Sequence, residues 1–349
     1  MSLLAAGCGG KSDTSSTGTA TTLTPKGSSS MASLTGSLTG GGSSFQDGFD
    51  QRAIADFSKV APKANVVYQK SGSSDGKKAL ADGTVDFAGS DSLIKPEETL
   101  NAKKADVLYF PTVVAPITVS YNVKGVTDLR LSGDTVAKIF AAKITTWNDP
   151  AIKADNPGTT LPSTSITVVH RSDGSGTTSN FTKYLVAAAP GSWTLGSGDS
   201  VQWPASTQGA EKNSGVATVI SQTDGAIGYV DLADAAKSNL DVAAIKNKAG
   251  KFVKPTPAGA SAAAAGATVA ADLTYNPIDA SGDAAYPITS PTYVLVYKTQ
   301  TDPAKAKLLK AFIRFMLTDE QAVAGNVLYA PLPKSLAAKA VSQLDQIGT

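Results

Sequence analysis

The sequence is poor in the side chains that most often carry out catalysis or hold metals. Among its 349 residues there is one cysteine, Cys8, and one histidine, His170. A single cysteine excludes an intrachain disulfide, and one cysteine with one histidine cannot supply a usual zinc ligand set. The composition therefore argues against a disulfide-rich scaffold and against most zinc enzymes.

Net charge and long apolar runs are also scarce. The chain has 31 basic and 29 acidic residues, and the basic ones do not cluster with aromatics, so no nucleic-acid partner is expected. No run of about eighteen apolar residues is present to span a membrane. With 42% hydrophobic residues, the chain is long enough to bury the cores of two ordinary domains.

The N-terminal segment has the composition of a leader followed by a linker. Residues 3–10 (LLAAGCGG) are similar to the end of a bacterial lipoprotein signal, although few apolar residues precede Cys8. Residues 9–37 are almost entirely Ser, Thr, Gly, Ala and Lys, which bury too little apolar surface to become ordered. The sequence predicts a signal remnant and flexible tether over residues 1–36, with Cys8 lipidated and attached to a membrane. An incidental thiol in a disordered N-terminus is the alternative.

The rest of the chain alternates strand-like and helix-like patterns. Short apolar runs at residues 37–40, 64–68 and 85–91 each end in a polar turn, and helical patterns follow the first two. This alternation predicts an α/β body with mainly parallel sheets. Two apolar segments, at residues 107–121 and 286–297, are typical of crossovers between domains.

Two crossovers imply that the N- and C-terminal segments complete one domain and that the middle of the chain forms the other. The predicted first lobe comprises residues 37–115 with 291–349, and the predicted second lobe comprises residues 116–290.

The most informative segment is residues 171–179 (RSDGSGTTS), where a fixed cation, a carboxylate and hydroxyls precede a helical pattern. Gly174 and Gly176 allow successive N–H groups to turn inward, while Ser175 and Thr177 add hydroxyl donors. The arginine supplies a planar, permanently charged fork. The start of the helix adds unpaired N–H groups and a positive dipole end. A simple helix cap is the ordinary explanation of one such loop.

Three loops of this kind make a helix cap the weaker explanation. Gly/Ser-rich turns at residues 43–44 and 73–74 also follow strands and enter helices. In parallel α/β sheets, the loops that leave the C-terminal ends of strands line the ligand crevice. The sequence therefore predicts that the three loops and Arg171 share one site for an oxyanion.

From about residue 37 to the C-terminal helices, the chain resembles the substrate-binding protein of the bacterial ABC phosphate importer. The resemblance rests on residues 38–45 (LTGGGSSF), 68–74 (YQKSGSS), 85–91 (VDFAGSD), 144–152 (ITTWNDPAI) and the segment that begins at Arg171. It implies a two-lobed periplasmic-binding-protein-like α/β fold, with a ligand cleft between lobes that are joined by two crossovers. It also implies an extracytoplasmic monomer that binds inorganic phosphate and delivers it to permease transmembrane subunits, without enzymatic activity or a cofactor.

The resemblance also implies the phosphate-binding residues. They are Ser44, the Phe45 backbone, Ser73 and Asp91 in the first lobe, and Arg171, Asp173, Ser175, Gly176 and Thr177 in the second. In the family, Asp173 orients the arginine and the lobes close over the ligand. One departure concerns the first loop, because proline commonly follows this phenylalanine and the chain has Gln46-Asp47 instead. Asp47 adds negative charge near a helix start that is expected to bind an anion.

Asp91 is a carboxylate in a site for an anion, and the repulsion can serve selection. Phosphate near neutral pH keeps a P–OH that can donate to an ionised carboxylate, whereas sulfate has no proton. A buried acceptor without a donor costs about 1–3 kcal/mol, and more when it is charged. Asp91 is therefore expected to reject sulfate. A solvated helix-cap carboxylate is the alternative.

Two other functions are compatible with parts of the sequence. Residues 72–76 (GSSDG) fit the nucleophile-elbow pattern with Ser74 at its centre, but the only histidine is His170, at the end of an apolar strand. A serine-type phosphoester hydrolase is therefore a weaker hypothesis. A surface protein or sensor that binds phosphate without transporting it would keep the same site, and sequence alone does not separate it from a transport protein.

Overall fold

The computed structural model describes residues 31–100 and 106–349. Cys8, the predicted signal remnant and residues 9–30 of the predicted tether lie outside the described residues. The folded body begins before the predicted first strand, because Leu34 is buried and Met31 packs against the core. Of the two successive Ser-Leu-Thr-Gly copies, the second lies within the first strand.

The described residues form an α/β body in which strands and helices alternate over much of the chain. The strands are β1 (Gly36–Gly42), β2 (Ala64–Lys70), β3 (Phe87–Ser90), β4 (Val107–Asn122), β5 (Arg130–Leu131), β6 (Thr167–Arg171), β7 (Gln208–Ala210), β8 (Ala226–Asp231), β9 (Asp241–Val242), β10 (Ala244–Lys246), β11 (Phe252–Val253) and β12 (Thr289–Tyr297). The helices are α1 (Asp47–Val60), α2 (Ser73–Ala81), α3 (Gly133–Phe140), α4 (Pro150–Asp155), α5 (Gly176–Ala188), α6 (Lys212–Gln222), α7 (Leu232–Lys237), α8 (Pro257–Ala265), α9 (Pro303–Leu317) and α10 (Lys334–Gln343).

Most of the strands form one sheet with the order β2-β1-β3-β12-β4-β8-β6-β7, and β9 pairs with β4. The outer pairs, β1 with β2 and β3, and β6 with β7 and β8, are parallel as the sequence predicts. The central pairs are antiparallel, because β4 and β12 run in opposite directions through the middle of the sheet. A smaller sheet has the order β11-β10-β5.

Strand β4 joins the two parts of the molecule. It pairs with β12 up to Pro116 and with β8 from Ile117 onward. We call the strands β1, β2, β3 and β12, with the helices α1, α2 and α9 packed on them, the first half. The second half comprises β6, β7 and β8 with α5 and α6. The change of partner falls beside the lobe boundary that the sequence predicts.

The core runs through both halves and is continuous along the central strands. Fifteen of the sixteen residues of β4 are buried, as are eight of the nine residues of β12. This burial on both faces explains why the two segments read as nearly unbroken apolar runs. A smaller hydrophobic cluster around Val169, Val216 and Ile220 packs α6 against β6 and β8.

Three helical predictions are longer than the helices in the structure. The sequence pattern predicts a helix over residues 133–147, but α3 ends at Phe140, before Ala142 adopts a φ of 54°. The Ala-rich pattern over residues 257–271 gives a helix only to Ala265. The pattern over residues 319–327 gives two short 3-10 turns, Glu320–Ala322 and Ala324–Val327. Alanine favours helix but supplies no stop signal, so such patterns overestimate helix length.

Candidate functional site

The three Gly/Ser loops lie at the C-terminal ends of their strands. The parallel strands β1, β2 and β3 direct Ser44, Ser73 and Asp91 to one edge of the first half. Strand β6 ends at Arg171, which begins the loop into α5 on the second half. The side chains at these positions are buried, with exposed fractions of 0–4% for Ser44, Ser73, Asp91, Arg171, Ser175 and Thr177.

Asp91 lies at the centre of the site residues that the first half contributes. Its two carboxylate oxygens lie 2.6 and 2.8 Å from Ser43 Oγ, and Thr292 Oγ1 donates to Oδ1 at 2.8 Å. Ser73 Oγ accepts from the Asp91 N–H at 3.2 Å and lies 3.4 Å from Oδ2. The sequence places Ser43 only in the first Gly/Ser turn and carries no signal for Thr292, although both hold the carboxylate in place.

The environment of Asp91 disfavours its charged form. Burial raises the pKa of Asp91 to about 6, against the hydrogen bonds from Ser43 and Thr292 and the attraction of Arg171, which lower it. Asp199 adds a smaller upward effect on the same pKa. A carboxylate with such a pKa is ready to accept a proton shared by a ligand.

Asn213 connects Ser44 and Thr177 across the two halves. Its backbone N–H and its side-chain amide each lie 3.2 Å from Ser44 Oγ, and the amide also donates to Thr177 Oγ1 at 3.2 Å. Ser175 Oγ likewise accepts an N–H, from Thr178 at 3.1 Å. Because each of these three hydroxyls accepts a hydrogen bond, each keeps its own O–H for donation to another acceptor.

Arg171 is held along one edge of its guanidinium and is free along the other. Nε donates to Asp173 Oδ1 at 2.7 Å, and Nη2 pairs with Asp173 Oδ2. Nη1 is buried and finds no hydrogen-bond partner among the described residues. An unpaired, buried cationic donor is costly unless a ligand completes it.

Asp173 is fixed by a second contact, as the family role implies. The Lys212 N–H donates to Asp173 Oδ1 at 3.1 Å, and Lys212 adopts a φ of 62°, which is uncommon for a residue with a side chain. Burial opposes ionisation of Asp173, but the hydrogen bond and the charge of Arg171 outweigh it and lower the pKa of this carboxyl.

Two glycines allow the loops to approach each other. A Cβ on Gly176 would lie 2.5 Å from Ser73 Oγ and 2.7 Å from Asp91 Oδ2, so only glycine lets the start of α5 come this close to the first half. Gly72 has a φ of +133°, and a Cβ there would lie 2.8 Å from the Gly174 carbonyl oxygen. Both positions are places where the two halves touch.

The Phe45 backbone is the least available of the predicted ligand groups. Its N–H donates to Ser43 Oγ at 3.0 Å, and its carbonyl accepts from Tyr329 Oη at 2.6 Å. An anion reaches this N–H only by sharing it with Ser43.

The departure at Gln46-Asp47 is accommodated without placing a free charge in the site. Gln46 is fully buried, donates to Asp50 at 2.7 Å and accepts from Thr292. Asp47 pairs with Lys70 at 2.9 Å, so a cation offsets its charge.

Enzymatic alternatives find no support in the geometry. Ser74 Oγ donates to Asp199 at 2.9 Å rather than to the histidine that a nucleophile elbow needs, and His170 stacks on Trp203 with ring centroids 4.7 Å apart. Among residues 31–100 and 106–349, no group of three or more acidic, histidine or cysteine side chains is arranged to hold a metal. Within the same ranges, no helix combines the length and apolar character needed to cross a bilayer.

Comparison with known proteins agrees with this geometry. Residues 14–320 match a family model described as a PBP superfamily domain. The phosphate-binding protein PstS of Xylella fastidiosa is 36% identical over 338 residues, which cover 95% of this chain and 91% of that protein. The chain belongs to this family of periplasmic phosphate-binding proteins.

Solved structures at lower identity confirm the fold of this family member. A high-affinity periplasmic phosphate-binding protein, PfluDING, bound with phosphate, has a TM-score of 0.74 at 22% identity, and the match covers 88% of this chain and 94% of that one. A putative phosphate ABC transporter substrate-binding protein from Clostridium perfringens, with bound phosphate, has a TM-score of 0.63 at 16% identity, with coverage of 85% and 100%. The prediction of a two-lobed periplasmic-binding-protein-like fold is confirmed.

Proposed function

We propose that this protein binds inorganic phosphate between its two halves, outside the cytoplasm, and delivers it to the transmembrane subunits of an ABC permease. The observation that carries the proposal is Nη1 of Arg171, a buried cationic donor without a partner among the described residues. Asp173, the partner of Arg171, accepts the N–H of Lys212. The next residue, Asn213, bridges the hydroxyls of Ser44 and Thr177, one from each half. The names of the relatives, which state phosphate binding, support the same ligand.

Each predicted residue has a defined part in this proposal. The guanidinium Nη1 and the three hydroxyls that keep a free O–H, those of Ser44, Ser175 and Thr177, donate to the phosphate oxygens. The backbone N–H of Gly176 lies at the positive end of the α5 dipole and adds a further donor to the phosphate. The remaining donors from the first half are the Ser73 hydroxyl and the Phe45 N–H, which the phosphate shares with Ser43. Asp173 acts on the ligand through Arg171, whose free edge it orients.

Asp91 supplies the selection between anions. When Asp91 is ionised, it accepts a hydrogen bond from the P–OH of phosphate. This hydrogen bond replaces the hydrogen bonds to water that burial has removed. Sulfate has no proton to give, so its negative charge faces the Asp91 carboxylate without a hydrogen bond between them. The selection therefore depends on protonation rather than on size.

Three further features are part of the proposal and rest on the sequence. The lobes comprise residues 37–115 with 291–349, and residues 116–290, and the protein acts as a monomer. Cys8 carries the lipid that keeps it at the outer face of the cytoplasmic membrane. Labelling cells with a radioactive fatty acid tests the last feature: label on the wild type and none on Cys8→Ser is expected, whereas equal labelling contradicts it.

Calorimetric titration of the full chain with phosphate, arsenate, sulfate and molybdate tests the binding function. One phosphate per chain, bound far more tightly than sulfate, is expected. The absence of heat with phosphate, or equal affinity for sulfate, contradicts the proposal. Loss of labelled-phosphate uptake at low external phosphate on deletion of the gene tests delivery to a permease, because a sensor or surface protein would leave uptake unchanged.

A further inference from the structure

A second cluster of charges lies beside the phosphate site and joins the two halves. Its centre is Asp199, which lies in the loop after α5 on the second half and is 2% exposed. The groups in contact with its carboxylate come from the first half, and they are Ser74, Lys77, Ser92 and Lys95. Lys183 of α5, on the second half, adds a further positive charge near Asp199.

The contacts of Asp199 are short and numerous. Ser74 Oγ donates to Oδ2 at 2.9 Å, and Ser92 Oγ and Lys77 Nζ donate to the same oxygen at 3.0 Å. Lys95 Nζ lies 3.5 Å from Oδ1. Burial opposes the charged form, but Lys77 and Lys95 keep the pKa of Asp199 below its ordinary value.

Lys77 is as deeply enclosed as its partner. It is 1% exposed on α2, and besides Asp199 its Nζ lies 2.7 Å from Glu98, 3.0 Å from Ser92 Oγ and 3.2 Å from the Leu93 carbonyl oxygen. A buried cation of this kind is stable only with such partners, because desolvation otherwise exceeds the Coulombic gain.

The cluster is connected directly to the phosphate site. The backbone carbonyl of Asp199 accepts the Ser175 N–H at 2.9 Å. Ser74 and Ser92 each follow a predicted ligand residue in the chain, and the Ser74 N–H donates to the Gly174 carbonyl at 3.2 Å. The segment that positions the hydroxyl of Ser175 is therefore the segment that carries Asp199.

The burial of the site requires the halves to separate when a ligand enters or leaves. Site side chains from both halves are 0–4% exposed, so an ion bound between them is largely enclosed by protein. Separation breaks every contact that joins the halves. Among the ion pairs of the described residues, Asp199 with Lys77 is the one that joins the halves with both side chains buried. Opening therefore exposes Asp199 and Lys77 to water, and closing must desolvate both.

We propose that Asp199 and Lys77 form a clasp that holds the two halves together around bound phosphate and so sets the rate at which phosphate leaves. This inference rests on the proposed function. The clasp is absent in the open state, so its net free energy adds to the stability of the closed complex. Neither residue is placed at the ligand, so the clasp acts on the release of phosphate and of sulfate. Selection stays with Asp91, on whose pKa Asp199 has only a smaller effect.

The test is a double-mutant cycle on release kinetics. Phosphate dissociation rates are measured by stopped-flow for the wild type, Asp199→Ala, Lys77→Met and the double variant, with binding followed through tryptophan fluorescence. Each single change is expected to raise the rate at least tenfold, because it removes the buried charge pair that joins the halves. Glu98 still faces Lys77, and Lys95 still faces Asp199, so the remaining charge keeps a partner on the first half only. The double variant is expected to show much less than the product of the two effects. The affinity ratio of phosphate to sulfate is expected to stay within about twofold of the wild type.

Asp82→Ala provides a matched control on the same helix region. It also removes an aspartate paired with a lysine, but that pair, with Lys78, is exposed, and its removal is expected to leave release unchanged. Asp199→Asn covers the case in which Asp199→Ala does not fold, since it keeps the hydrogen bonds to Ser74 and Ser92 while losing the charge. An intermediate release rate is expected for it.

Two outcomes overturn the clasp. If the variants lose thermal stability but release phosphate at the wild-type rate, the pair is only structural. If the effects of the two single changes simply multiply in the double variant, the residues do not act together. A wild type that binds no phosphate would instead overturn the proposed function and the clasp with it, so the two failures are distinguishable.

Discussion

Arg171 and Lys77 are both buried cations beside the same site, and they differ in what their donors meet. Arg171 pairs with Asp173, two residues away in the same loop, and leaves Nη1 without a partner among the described residues. Lys77 pairs with Asp199, 122 residues away on the other half, and its Nζ lies within 3.2 Å of four oxygen atoms.

The difference separates two uses of a buried positive charge. A cation whose donors are all satisfied by protein adds to the stability of one arrangement of the chain. A cation with a free donor is incomplete until a ligand arrives. On this reasoning Arg171 determines whether an anion binds, and Lys77 determines how long the closed protein keeps it.

Replacement of Arg171 is expected to have the largest effect. Arg171→Ala should raise the phosphate dissociation constant about thirtyfold or more, in keeping with about 2–5 kcal/mol for a buried charge-pair partner, and calorimetry measures it. Arg52→Ala is the control, because Arg52 pairs with Asp56 at the surface of α1. Near-native phosphate binding by Arg171→Ala would contradict the view that Arg171 determines binding while Lys77 determines release.

Gly176→Ala is expected to have the next largest effect, since it separates the halves at the ligand without touching either ion pair. The added methyl group would meet Ser73 and Asp91, and overpacking of about 1–3 kcal/mol should weaken phosphate binding about ten- to a hundredfold. Gly191→Ala is a suitable control, because a Cβ there meets nothing within 4 Å. Equal titration curves for the two variants would show that close approach at residue 176 is not needed.

The sequence predicts the loops of the site better than the contacts between them. Alternating patterns and Gly/Ser turns are local signals, so they identify Ser44, Ser73 and the segment from Arg171 to Thr177. Asn213 and Thr292 carry no such signal. Asn213 reaches Ser44 across 169 positions and Thr292 reaches Asp91 across 201, and only the folded sheet brings them together.

The Asp199 clasp is missed for the same reason, and the helix ends are missed for a different one. Nothing in the sequence around Asp199 distinguishes it from a surface turn. The early end of α3 depends on the backbone at Ala142, where the residue itself has no preference for a positive φ. Alternation of strand and helix, in contrast, is enforced by burial over much of the described chain, and it predicts the fold class.

Replacement of Asp91 tests a third buried charge, a carboxylate whose closest contacts are hydroxyls rather than a cation. Asp91→Asn is expected to narrow the ratio of phosphate to sulfate affinity by about tenfold or more, because the amide no longer requires a proton from the ligand. Competition titrations with both anions measure this ratio. A ratio equal to that of the wild type would assign selection to another group.

The same substitution has a predicted effect on stability that depends on pH. The pKa of Asp91 rises from an ordinary 3.8 to about 6 on folding, so stability that is present below pH 4 is lost as the pH rises through 6. Ligand-free Asp91→Asn lacks this loss, so its free energy of unfolding relative to the wild type should rise by about 2–3 kcal/mol between pH 4 and pH 8. Thermal unfolding at pH 4 and pH 8 measures the difference in stability between Asp91→Asn and the wild type. A difference that does not grow with pH contradicts the raised pKa of Asp91 as its cause.

Asp47→Asn is expected to have the smallest effect. Asp47 pairs with Lys70, and exposed or partly exposed pairs contribute about 0–1 kcal/mol. The phosphate dissociation constant should therefore change by less than about twofold. A large gain in affinity would mean that Asp47 opposes the anion after all, and that the Gln46-Asp47 departure weakens the site.

The most direct measurement is a crystal structure of the protein grown with phosphate. The account predicts one phosphate between the two halves, with oxygens within hydrogen-bond distance of Arg171 Nη1 and of the Ser44 and Thr177 hydroxyls, and with Asp91 accepting its proton. A phosphate bound elsewhere, with Nη1 still unpaired, would contradict the account.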